Sequence, residues 1–146
     1  VSYTIDLNIL LYATDASSPF HESASNFLAE RARDPEVLCL AWPTVMGYLR
    51  VATHPRIFAS PLSPEQAMAN IGELIALSQC QMINETNDFM DVYRQVTMDM
   101  SVRGNLVPDA HVVALMRLHD VRTIFTNDVD FRRFSFIEVR NPLSGG

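Results

Sequence analysis

Asp128 and Asp130 stand at the end of RTIFTNDVDF, residues 122–131, where an apolar run gives way to Thr126, Asn127 and then acid. Asp6 closes another apolar run, SYTI, and Asp109 follows Pro108 at the opening of a helical pattern. Carboxylates at the mouths of core elements repel one another unless they share something positive. Two unit charges ~4 Å apart at an effective dielectric of ~20 repel by about 4 kcal/mol, and a natural domain has only ~5–15 kcal/mol of net stability. Three or four acids in one pocket therefore protonate, pair with arginine, or coordinate a metal. The nearby bases are few: Arg103 and the pair Arg132–Arg133, the last two expected to face water. Oxygen ligands with few nitrogens or sulfurs select Mg²⁺ or Mn²⁺ over zinc or copper. Ions held in this way activate water and stabilise the leaving oxygen in phosphodiester cleavage.

Each acid also has a plainer use. Asp109 suits the first turn of a helix, where an acid complements the dipole, and Asp128 suits the cap of a short helix. Asp6 has no capping duty unless a helix begins at once. The placement of all four together decides between chemistry and structure.

That placement follows from the elements. Strand-like runs at 2–5, 36–41, 80–84, 122–126 and 135–139 alternate with helical patterns at 18–32, 43–53, 64–78, 87–102 and 108–120, plus a short helix around Asp130–Arg133. Ser63, Pro64 and Gln66 form a capping-box pattern with proline in the first turn. Gly104 stops one helix and Pro108 opens the next. Alternating strands and helices imply parallel pairing through right-handed crossovers, hence an α/β sandwich with a central parallel sheet of about five strands flanked by helices. Ligands in such sheets collect outside the carboxyl ends of the strands. Asp6, Asp128 and Asp130 fall at that edge, and Asp109 opens the helix whose far end leads into strand four. The four are expected to converge.

Composition narrows the alternatives. The 146 residues, 48% apolar and 19% charged, are expected to form one domain over 1–146. The net charge of −6 disfavours a passive nucleic-acid binder, which needs Lys and Arg. It leaves room for an acidic pocket whose cation bridges to phosphate. No apolar stretch approaches the ~18 residues of a membrane helix and no basic-then-apolar leader occurs, so a soluble, cytoplasmic protein is expected. The final Ser144-Gly145-Gly146 reads as a frayed end. Cys39 and Cys80 are too few for a zinc module and read as small buried thiols. His111 and His119 are too far apart along one helix to share an ion, and no H-E-x-x-H, G-x-S-x-G or phosphate-binding glycine loop is present.

IDLNILLYA, PTVMGYLRVATHPRIF, PDAHVVALMRLHDVRTIFTNDVDFRRF and the closing NPL together resemble the PIN-domain family. The resemblance is specifically to VapC-type ribonuclease toxins of bacterial toxin–antitoxin pairs, and LRVATHPRIF looks most like their mycobacterial branch. It implies a three-layer, PIN-like sandwich with a five-stranded parallel sheet and an acidic pocket binding one or two Mg²⁺ or Mn²⁺ ions. It also implies RNA cleavage by metal-activated water, a homodimer, and inhibition by a VapB-type antitoxin whose tail fills the groove. Carried over by position, Asp6, Asp109 and Asp128 are the catalytic acids, and with Asp130 they make the metal set. Asp6 and Asp128 hold the ion, Asp109 positions or deprotonates the water, and Asp130 assists. Asn8 and Thr126 match polar positions lining the pocket.

One position departs from the family. The helix after strand two usually carries a glutamate where this chain has Gly47, although the mycobacterial branch often has a small residue there. Glu22 or Asp15 are the nearest substitutes. The alternative is a catalytically weakened PIN domain that binds RNA or an antitoxin. A haloacid-dehalogenase-like phosphatase, the third reading, needs a second acid where Asn8 stands. An antitoxin helix is expected on any exposed face of the Met-rich helices at 64–78 and 88–102.

Overall fold

Short runs of buried residue types make the sheet. In the computed structural model, which describes residues 1–143, they are β1 (Ser2–Ile5), β2 (Val37–Ala41), β3 (Cys80–Ile83), β4 (Thr123–Phe125) and β5 (Glu138–Arg140). The end expected to fray, 144–146, lies outside the described residues. The helices are α1 (Leu7–Thr14), α2 (His21–Arg33), α3 (Trp42–Ala52), α4 (Pro64–Ile75), α5 (Phe89–Val96) and α6 (Leu106–Leu118), with a 3-10 turn at Val129–Arg133. The strand order is β3-β2-β1-β4-β5 and every neighbouring pair is parallel. The expected parallel five-stranded sandwich is what the chain forms.

The pleat sorts side chains between two cores, since successive residues of a strand face opposite sides. Leu38 and Leu40 of β2 join Tyr3, Ile5, Ile9, Leu10, Tyr48 and Ile71 under α1–α4. Cys39 and Ala41 join Val113, Leu115, Met116, Ile124 and Phe131 under α6 and the 3-10 turn. Helices thus cover both faces of the sheet, which makes three layers. Cys39 is buried and Cys80 half-buried, both are free, and burial pushes both thiols above their usual range.

Several bounds differ from the sequence reading. Helix α1 was not expected: LNILLYAT is apolar on nearly every side, so it lacks the two-faced period of a surface helix. Helix α5 ends at Val96, and Thr97 beyond it turns its hydroxyl back onto the Tyr93 carbonyl (2.8 Å). Helix α6 starts two residues before Pro108, which sits in the first turn where a missing N–H leaves nothing unpaired. Gly104, at φ 59°, supplies the left-handed residue that turns the chain into that helix. The capping box at Ser63 and Gln66 forms in both directions, at 3.1 and 3.0 Å. Strand β5 begins only at Glu138, because Phe136 and Ile137 turn onto the core instead of joining the ladder. Among the described residues no helix is long and apolar enough to cross a membrane.

Candidate metal centre

Register places the first acid. Ile5 pairs with Phe125, so β1 and β4 finish level, and the Asp6 N–H donates to the Phe125 carbonyl (3.0 Å). Asp6 and Thr126 are therefore neighbours at the carboxyl edge. Although α1 begins at once after Asp6, that carboxylate makes none of the side-chain bonds of a helix cap. Its Oδ2 instead accepts from the buried Thr126 hydroxyl (2.7 Å), and the same hydroxyl accepts from the Asp128 N–H (3.0 Å). One threonine thus fixes two of the acids.

Asp128 does both things its position allows. Its Oδ1 caps the 3-10 turn by accepting from the Asp130 N–H (2.9 Å), which leaves Oδ2 available. Asp109 lies in the first turn of α6 and is half-buried. All four aspartates line one cavity of about 290 Å³, together with Asn8, Leu7, Thr44 and Arg133. Asp109, Asp128 and Asp130 each offer an oxygen, and these oxygens lie within 4.8 Å of one another. Asp6 stands outside that trio, on the same cavity wall.

The electrostatics follow from the crowding. Burial pushes the Asp109 carboxyl up to about 7, and the charges of Asp6, Asp128 and Asp130 add to the effect. Burial also raises Asp6, opposed by the Thr126 hydroxyl and the Leu7 N–H, while Asp128 raises it further. None of the ion pairs among the described residues includes any of the four acids. Arg133, expected to face water, lines the cavity without pairing. The nearest histidine in sequence, His111, is occupied by Glu85 at 2.6 Å. The donors on offer are hard oxygens, which fit Mg²⁺ or Mn²⁺.

Gly47 sits beside this site. A Cβ there would come within 2.9 Å of Leu7 Cδ2, and Leu7 lines the cavity. Leu7 therefore fills the space that a side chain at 47 would enter. Neither Glu22 nor Asp15 lines the cavity as a substitute, and Asp15 is taken up by Ser17. Of the three bases that the sequence places near the acids, Arg133 lines the cavity, while Arg103 and Arg132 do not.

Thr126→Val tests the joint between Asp6 and Asp128, since it keeps the shape and removes the hydroxyl. Two half-buried polar groups then lose their partner, so stability in urea at pH 8 is expected to fall by about 1 kcal/mol. An unchanged midpoint would show that the bonds contribute nothing.

Comparison with known proteins gives the family and the fold. The family described as PIN domain matches residues 3–137. Ribonuclease VapC48 of Mycobacterium tuberculosis is 44% identical over 145 residues, covering 99% of this chain and 100% of the relative. Ribonuclease VapC43 of the same organism is 31% identical over 141 residues, covering 97% and 95%. Of solved structures, VapC20 of Mycobacterium tuberculosis, a toxin described as cleaving the sarcin-ricin loop, superposes with a TM-score of 0.68 at 17% identity, covering 94% and 98%. VapBC2 of Rickettsia felis, bound to a promoter DNA fragment, gives 0.69 at 16% identity, covering 97% and 98%. At those identities the structures speak for the fold alone.

Proposed function

Since the chain belongs to the PIN-domain family, within its VapC branch, we propose that it is an endoribonuclease toxin. It hydrolyses RNA phosphodiester bonds with the help of Mg²⁺ or Mn²⁺. The observation that carries this reading is the trio of carboxylate oxygens within 4.8 Å of one another, with no arginine paired to them. Asp109, Asp128 and Asp130 would hold the ion, and Asp6 supplies further negative charge from the cavity wall. Bound there, the ion would act as a Lewis acid and lower the pKa of a coordinated water.

The chain's own residues do the rest. In hydrolysis the water oxygen joins phosphorus, the bond to a sugar oxygen breaks, and that oxygen takes up a proton. Asp109, deprotonated whenever an ion is held, lines the cavity where its second carboxylate oxygen is suited to take the water's proton. Thr126 keeps Asp6 and Asp128 in place, and the Asn8 amide reaches the cavity where a phosphate oxygen needs a donor.

The partner is a VapB-type antitoxin. An apolar groove of about 550 Å³, lined by Leu10, Leu28, Ile71 and Leu74 among others, runs between α1, α2 and α4 and suits a helix. Met68 on α4 and Met90 on α5 are also exposed. A second copy of the chain is the partner we assign to Trp42 and Met46, exposed one turn apart on α3. We assign the protein to the cytoplasm, where an RNA substrate and an antitoxin would meet it.

Incubating the purified chain with bulk RNA in Mn²⁺ and in chelator tests the proposal. Cleavage in Mn²⁺ and none in chelator is expected. Cleavage that survives chelation would overturn the metal-dependent reading. A chain that cuts no RNA would be the weakened binding module that Gly47 suggests.

A further inference from the structure

We propose that two unpaired arginines beside the acidic cavity form the cleft that seats the RNA strand beyond the cut bond, Arg133 at the nearer phosphate and Arg117 at the farther. This rests on the ribonuclease reading and adds the path of the substrate to it. The chain carries a net charge of −6, and all eleven of its basic residues are arginine, six of them between residues 103 and 140. An RNA strand is therefore repelled by most of the surface and can leave the active site only over a locally cationic flank.

The structure has such a flank. Arg133 lines the acidic cavity and also a second cavity of about 220 Å³, set between α5, α6 and the segment after the 3-10 turn. Arg117, Gln95, Ser135 and Phe136 line this second cavity, with Asp99 as its one carboxylate. Neither Arg117 nor Arg133 has an ion-pair partner among the described residues. Arg117 lies over the Phe136 ring, its guanidinium carbon 4.9 Å from the centroid. A guanidinium held over a ring keeps N–H groups free for phosphate. Arg122 reaches the same ring at 5.6 Å but is paired with Asp120.

The spacing suits a strand. Asp109 and Arg117 lie eight residues apart on α6, which is ~12 Å along the axis at 1.5 Å per residue. A chain of phosphates that is cut at Asp109 and runs down α6 meets Arg133 first and Arg117 next. An acidic peptide would also suit two arginines. Arg133 lines both this cleft and the carboxylate cavity, where a phosphodiester must enter, and that shared residue favours RNA.

The test uses the full chain in chelator, so that nothing is cut, and a short fluorescein-labelled single-stranded RNA of mixed sequence. Binding is followed by anisotropy over a salt series. Each lost phosphate contact lowers the slope of log K against log salt by ~0.7 for a single strand. Arg117→Ala and Arg133→Ala are each expected to lower it by that amount. Arg33→Ala is expected to leave it unchanged, because Arg33 ends α2, which packs on the opposite face of the sheet from α6, and is exposed. The rise in melting temperature with Mn²⁺ should be the same in Arg117→Ala as in the parent, which shows that the variant is folded with its acidic site intact. Equal slopes for parent, Arg117→Ala and Arg133→Ala would overturn the cleft and leave the ribonuclease reading standing. A parent that binds no RNA in chelator would likewise overturn the cleft, while cleavage in Mn²⁺ tests the ribonuclease reading separately.

Discussion

Asp109→Asn is expected to lose RNA cleavage by on the order of 10³-fold, the range for removing a positioned acid or base, and to become more stable when no metal is present. Both effects come from the same crowding. In the folded chain the Asp109 carboxyl titrates at about 7, against 3.8 when unperturbed. Between those two values the native state binds more protons than the unfolded state, so its stability falls as pH rises through the window and levels off above about 7. A tenfold change in proton affinity is worth ~1.36 kcal/mol. Asp109 is partly open to water and shares its titration with three neighbouring acids, so a net effect of about 1–2 kcal/mol is expected. Asparagine stays neutral and removes this contribution. In chelator the variant should melt roughly 2–8 °C above the parent at pH 8, with a smaller difference at pH 5.5. A parent that gains stability over the variant as pH rises would show that the four acids do not crowd one another.

Much of the site was legible because its signals are local. Apolar runs ending in acid marked the carboxyl edge, and the Ser63–Gln66 box forms as its spacing demands. Convergence of Asp6 with Asp128 needed only the parallel topology, which the strand–helix alternation supplies. The illegible parts depend on contacts between distant segments. Helix α1 is apolar on nearly every side although only Ile9 and Leu10 are fully buried, so no period in LNILLYAT gives it away. The separation of Asp6 from the trio depends on the β1–β4 register and on the Thr126 hydroxyl, 120 residues away in the chain. Arg132 and Arg133 are both exposed, as the sequence suggests, and it is the 3-10 turn that also sets Arg133 at the rim of the cavity. Gly47 was visible as a departure from the family, but Leu7 as the residue occupying its space was not.

Mn²⁺ is expected to stabilise the chain by about 2.7 kcal/mol at 100 times its dissociation constant, a rise in melting temperature of roughly 5–10 °C. The rise should be larger at pH 8 than at pH 5.5, because Asp109 must lose its proton before it can hold an ion. Gly47→Glu sharpens this test. A Cβ at 47 meets only the far end of the Leu7 side chain, at 2.9 Å, and Leu7 can turn aside. Replacing a mid-helix glycine also recovers up to about 1 kcal/mol of helix stability. The added carboxylate then reaches over Leu7 toward the cavity, where it brings one more oxygen ligand and one more repelling charge. Mn²⁺ should bind on the order of tenfold more tightly, equivalent to about 1.4 kcal/mol, and the metal-dependent rise at fixed Mn²⁺ should grow accordingly. Melts of parent and variant over a Mn²⁺ series read both effects. If Mn²⁺ shifts neither protein at any concentration, the acids are held by protonation alone, and the chain acts by binding RNA rather than by cutting it.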